Sequence, residues 1–266
     1  MDVFALAEAC IAATSVEDKL ARSSKAAASI ATGDFATETS VEPRPIVQPG
    51  RPSRPRLVPP RELPQRGLGS AEGRAALVHA VAHIEFNAID LAWDAVYRFR
   101  GMPHEYYRDW AQVAADETRH FCMLAERLAE MGHAYGDFDA HNGLWEMAVK
   151  TSKSCLERMA LVPRVLEARG LDVTPGMIAR LRGVGDARTI EILEVILREE
   201  VAHIAAGSRW FAWCCARDGV DAHAKFERLI TEYARSTLKP PFNETARRAA
   251  GFSEQEIDQL MAQSAA

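Results

Sequence analysis

The sequence predicts an all-α protein organised around a four-helix bundle. Three observations carry this reading. Long stretches repeat their apolar residues at helical spacing, glycine and proline cut them into segments of helical length, and no segment alternates as a strand does.

Residues 3 to 31 are Ala-rich and weakly patterned, and suggest one or two short helices. Eight of the 13 prolines then fall between Pro43 and Pro64, so that segment must be extended and non-helical. With Arg44, Arg51, Arg54, Arg56, Arg61 and Arg66 it is too polar to form a core of its own. It is expected to lie as a strap across the helical bundle, with a disordered linker as the alternative and a phosphate contact as a minor one. From Ala71 to Arg100 there is no proline, and apolar residues recur with helical period behind a Ser70 cap. Gly101-Met102-Pro103 breaks this helix, and a second runs from about His104 to Met131 and stops at Gly132, which makes an antiparallel hairpin.

A polar connection, residues 132–142, leads to a third helix from about Gly143 to Arg169, interrupted by Pro163 and stopped by Gly170. Thr174-Pro175 reads as the cap and first turn of a short helix ending at Gly183 and Gly185. Asp186 begins a fourth long helix reaching about Arg217, and residues 220–266 read as two or three helices with turns at Lys239-Pro240-Pro241 and Gly251-Phe252-Ser253. The expected division is therefore an N-terminal part with the Pro-rich arm (1–67), the bundle (68–217) and a C-terminal helical extension packed on it (218–266).

Composition narrows the function. With 266 residues, 48% apolar and 26% charged, the chain has ordinary globular make-up, and no run approaches the roughly 18 uncharged apolar residues of a membrane span. A net charge of −5 removes the broad basic field of nonspecific nucleic-acid binding. The five cysteines, Cys10, Cys122, Cys155, Cys214 and Cys215, lack the spacing of a zinc site or a disulfide framework, which suits a reducing compartment. Cys214-Cys215 reads as core filler. Asp2 and Glu8 argue against a signal peptide, and a cytoplasmic protein is expected.

Carboxylates and histidines at helical spacing carry the chemistry. Glu117-Thr-Arg-His120 and Glu200-Val-Ala-His203 each put Glu and His three apart on one helix face. A di-metal site inside a helix bundle needs two such pairs and one Glu from each remaining helix. Glu85 is the only acidic residue in the apolar run Leu77 to Ile89. It lies 32 residues before Glu117, and the midpoint is Gly101, so a hairpin folded there sets both at one height. Of Glu157 and Glu167, Glu167 is chosen because it precedes Glu200 by 33 residues, against 43 for Glu157. Four carboxylates in one core would repel and be costly to desolvate, and two divalent cations would balance them.

His79 and His83 lie roughly 120° to 160° around the helix from Glu85, so packing, an interface or the surface is expected of them. Trp93, Tyr97, Tyr106, Tyr107, Trp110, Trp210 and Trp213 read as packing. Asp116 and Glu199 read as supporting or surface groups.

The stretches PRLVPPRELPQRGLGSAEGRAALVHAVAHIEFNAIDLAWDAVYRFRGMP, DETRHF, AHNGLWEMAVKTS, MALVPRVLEARGLDVTPGMIARL and REEVAHIAAGSRWF resemble the uncharacterised bacterial family catalogued as domain of unknown function 455. That resemblance implies a ferritin-like four-helix fold and a di-iron centre carried on Glu85, Glu117, His120, Glu167, Glu200 and His203. The ligand order also looks like that of di-iron hydroxylases acting on quinone precursors or modified tRNA.

The expected function is an O2-dependent di-iron hydroxylase or monooxygenase of a small or carrier-borne substrate. In it Glu117 and Glu200 bridge two iron ions, Glu85 and Glu167 bind terminally, and each His ligates one ion. Manganese or a mixed Mn/Fe pair is the alternative metal. Electrons would come from an external donor, since no G-x-G-x-x-G fingerprint appears. No membrane or nucleic-acid partner is expected, and a homodimer is compatible with the reading. Two other classes stand beside it: an iron-binding, ferroxidase-like or stress protein without organic substrate, and a metal-free helical interaction protein.

Overall fold

The computed structural model describes residues 2–39, 41–234 and 238–264, all helix and loop with no strand among them. Two isolated β-bridges join Asp2 to Ala36 and Leu57 to Ala140. The chain divides into two compact units, Met1–Val149 and Lys150–Ala266.

In the first unit, α1 (Val3–Ile11), α2 (Val16–Thr32), α3 (Ala71–Arg98) and α4 (His104–Glu130) pack together, and α5 (Gly143–Lys150) reaches the boundary. The Ser70 Oγ accepts from Gly73 N at 3.0 Å and starts α3 as expected. Gly101 turns the α3–α4 hairpin with φ of +68°, which a Cβ would strain. By length and composition α3 could cross a bilayer, but 72% of its most apolar window is buried inside the fold, as in a core helix.

The Pro-rich segment is a strap over this unit. Its backbone carbonyls and amides are paired at successive points: Gly50 N to Ile11 O (2.8 Å), Trp145 Nε1 to Val47 O (2.9 Å), and Val58 N to Ala140 O (2.8 Å). Arg44 N donates to the Tyr97 hydroxyl at 2.9 Å, and Arg56 pairs with Asp139. Below it, Lys19 is fully buried. Its ammonium donates to the last α1 carbonyls, Cys10 O and Ile11 O at 3.3 Å each, and pairs with Asp90 of α3. Burial pushes the Asp90 carboxyl up to about 6, against the opposing pull of Lys19.

The second unit departs from the expected third helix. A turn at 151–154 ends α5, and α6 (Cys155–Leu161) starts afresh where Ser154 Oγ accepts from Glu157 N at 3.2 Å. A π-turn, Val162–Glu167, follows, and α7 (Ala168–Gly183) then runs straight through Gly170 and Pro175. Neither residue stops a helix here. Gly170 is only a weak helix former in an otherwise committed run. Pro175 leaves Leu171 O without its helical donor, but Asn243 Nδ2 supplies one at 3.2 Å.

Then come α8 (Ala187–Asp218), capped by Asp186 Oδ1 on Thr189 N at 3.1 Å, and α9 (Ala222–Leu229). Two short helices, α10 (Glu244–Ala249) and α11 (Glu254–Ser264), complete the unit, while residues 235–237 and 265–266 of the expected tail lie outside the described residues. Gly207 of α8 lets the π-turn in: a Cβ there would meet Pro163 Cγ at 2.4 Å. The tail is locked by arginines. Arg164 sits 4.1 to 4.8 Å from the rings of Phe226, Phe252 and Phe211 and pairs with Glu256 at 2.8 Å. Arg247 clamps Asp172 at 2.7 Å.

Candidate metal centre

Each unit carries one part of the expected ligand set. In the first, the α3–α4 hairpin brings Glu85, Glu117 and His120 together. His120 Nδ1 lies 3.3 Å from Glu85 Oε2 and 3.4 Å from Glu117 Oε2. One donor atom from each of the three falls within 4.8 Å of the others. All three are buried, at 4%, 1% and 0% exposure, so this is a carboxylate cluster withdrawn from water rather than a solvated face. Burial alone would keep His120 neutral, but the adjacent Glu117 and Glu85 carboxyl groups outweigh that and raise it to about 11. His120 is thus the basic member of the cluster and faces both carboxyl groups.

A group of aromatic rings packs between α3, α4 and the 132–142 connection. Phe86 and Phe121, the chain neighbours of Glu85 and His120, lie 5.2 Å apart by centroid, and both contact Tyr135 at 5.2 and 5.0 Å. Tyr135 carries no signal in the sequence because it sits in the polar 132–142 connection, where no periodicity marks it.

His79 and His83 pack on the same aromatic group. His83 Nε2 donates to His141 O at 3.0 Å, which leaves Nδ1 to accept from the Tyr135 hydroxyl at 2.8 Å. His79 Nε2 accepts from Gly136 N at 2.9 Å and its ring stacks on Tyr135 at 5.3 Å. Burial pushes both imidazoles down to about 4. They are buried packing groups that anchor the connecting loop.

In the second unit, Glu200 and His203 share one face of α8, with Nδ1 3.4 Å from Oε1 and side-chain exposures of 12% and 3%. Glu167 is the last residue of the π-turn that packs on α8. Single-turn π insertions of this kind recur at functional sites. Glu157, the rejected candidate, is engaged elsewhere, 3.5 Å from Lys225 Nζ. Asp116 is a surface group bound by Gln112 and Arg119.

The donor set is carboxylate oxygen with imidazole nitrogen and no thiolate. Oxygen donors suit manganese, imidazole suits iron, and a mixed set of this kind fits either ion better than a soft metal.

The family described as "Protein of unknown function (DUF455)" matches residues 12–258. The chain belongs to this family. An uncharacterised protein of Haemophilus influenzae is 44% identical to this DUF455 chain over 214 residues, covering 78% of this chain and 74% of the relative. No solved structure matches it. Within this DUF455 chain the family match spans all six expected ligands and the Pro-rich arm.

Proposed function

We propose that the chain is a non-haem di-iron oxidoreductase built on a ferritin-like bundle, with Glu85, Glu117 and His120 and with Glu167, Glu200 and His203 serving one binuclear centre. The buried Glu85–Glu117–His120 cluster carries the reading, because two carboxylates desolvated around one imidazole are costly to fold unless they hold a cation. The repeated Glu-x-x-His, with its preceding Glu at 32 and 33 residues, supports the second set.

When bound, a pair of reduced iron ions supplies O2 activation for hydroxylation of a small or carrier-borne substrate. The chain's own groups prepare that chemistry. Glu85, Glu117 and His120 provide two anionic donors and one neutral donor once the proton leaves His120 Nδ1. Reducing equivalents come from an external donor, and the reading places the protein in the cytoplasm.

Elemental analysis of the full chain from iron-replete growth tests the proposal. About two iron or manganese ions per chain are expected, and Glu117→Ala should lose them. Full occupancy in that variant sinks the assignment. Slow accumulation of ferric mineral after anaerobic Fe(II) loading and O2 exposure, in place of rapid single-turnover oxidation, would move the function to iron handling without an organic substrate.

A further inference from the structure

Pro163 gives the π-turn its cause. A proline at this point has no N–H for Met159 O and crowds that carbonyl, so the helix widens by one residue instead of continuing straight. The widened turn closes where Ala168 N donates to Pro163 O, five residues back. One inserted residue rotates everything after it by roughly 100° relative to an unbroken α-helix. Glu167, the last residue of the turn, therefore leaves the helix in a direction that the turn decides.

Two contacts fix the turn on α8. The Pro163 ring fills the space that Gly207 leaves, where a Cβ would meet Pro163 Cβ at 2.5 Å. Arg164 Nε donates to Ser208 Oγ at 3.1 Å. The short connection 184–186 makes α7 and α8 antiparallel neighbours. Four residues on from Pro163, Glu167 thus comes level with His203, four residues back from Gly207, and Glu200 follows one turn further. The register of the second expected ligand set hangs on residues 163 and 164.

Arg164 is the part of this contact that reaches beyond α8. Its side chain is 2% exposed, and Nη2 pairs with Glu256 Oε1 of α11 at 2.8 Å. Glu256 is itself held: Oε2 accepts from Ser253 N at 2.8 Å, and Glu256 N donates to Ser253 Oγ at 3.2 Å, a capping box at the start of α11. The carboxylate that meets Arg164 is thus oriented by formation of the last helix. Ser208 lies against the tail as well, since a Cβ on Gly251 would meet Ser208 Cβ at 3.1 Å. A buried guanidinium tied at two ends is costly to move, because either partner left alone becomes a buried unpaired polar group.

We propose that Arg164 is a positioning residue of the metal centre: by tying the π-turn to α8 and to the α10–α11 tail, it fixes the placement of Glu167 against Glu200 and His203. This role presupposes the binuclear centre proposed above, and it gives the C-terminal extension, which holds no expected ligand, a part in metal binding.

Mn(II) binding to the full chain, measured by equilibrium dialysis over a double-mutant cycle of Arg164→Gln and Glu167→Ala, tests this. Arg164→Gln should weaken the binding of one of about two ions by about 10- to 100-fold, the usual cost of losing a group that orients a ligand. In the Glu167→Ala background the same change should weaken Mn(II) no further, because Arg164 acts through Glu167. Ser208→Ala, which removes only the Nε acceptor, should show the same pattern at smaller amplitude and serves where Arg164→Gln folds poorly. Equal weakening in both backgrounds, or none in either, overturns the role of Arg164 and leaves the centre standing. A wild-type chain that binds no Mn(II) overturns the centre and this role with it.

Discussion

Asn243 Nδ2 donates at 3.2 Å to the carbonyl of Leu171, the acceptor that Pro175 leaves open in the middle of α7. A residue just ahead of α10 thereby makes a proline tolerable 68 residues earlier in the chain. The same side chain also caps α10, with Oδ1 accepting from Ala246 N at 3.1 Å.

Asn243→Ala should therefore destabilise the protein by about 1–3 kcal/mol, the sum of a lost cap and an unsatisfied buried carbonyl. Pro175→Ala restores an N–H to Leu171 O, so the double variant should recover the carbonyl share and keep only the cap loss. Urea unfolding of the four proteins in the cycle measures the coupling. Strict additivity would show that the Asn243 side chain and Pro175 act independently.

Acid should loosen the loop that His79 anchors. Gly136 N donates to His79 Nε2, and protonation removes that acceptor. The folded imidazole titrates near 4 against an ordinary 6.5, so the unfolded chain binds the proton first on acidification. The stabilisation is complete above pH 6.5, falls as pH drops toward 4, and amounts to at most about 3 kcal/mol at roughly 1.4 kcal/mol per pH unit. His83 contributes with the same sign. His79→Gln, which keeps an acceptor for Gly136 without a titrating group, should flatten the dependence of melting temperature on pH between 4 and 6.5. An unchanged slope in that variant would show that His79 does not set the acid sensitivity.

Metal-free protein should depend on His120 as a cation. In the presence of chelator, His120→Ala leaves Glu85 and Glu117 buried without their imidazolium and should cost about 3–5 kcal/mol. Under the proposed function, added Mn(II) should restore part of that loss by binding the remaining carboxylates. Guanidinium unfolding with and without Mn(II) reads both effects, and a variant as stable as the parent in chelator would contradict the ionic role of His120.

Legibility follows the range of each interaction. Ser70, Gly132 and Asp186 mark helix ends through bonds to residues a turn away and Gly101 through its positive φ, and α3, α4 and α8 lie within two residues of where periodicity puts them. Glu85 and the Glu117–His120 pair are legible for the same reason: one hairpin with its turn midway brings them together. The segment after residue 150 is less legible. Gly170 and Pro175 look like helix punctuation, and nothing local reveals that Asn243 will supply the missing donor. Tyr135 and the His79 and His83 contacts are hidden because a loop's route is set by what it packs on.

The sequence by itself determined the helical class, the ends of the long helices and the residues with metal-ligand chemistry, since periodicity, caps and i, i+3 spacing act within one helix or one hairpin. Only the tertiary structure decided which carboxylates are buried around His120 and how α7 survives its proline. Those depend on contacts between segments tens of residues apart, where burial changes the free energy of a charge or a missing hydrogen bond by more than any local preference.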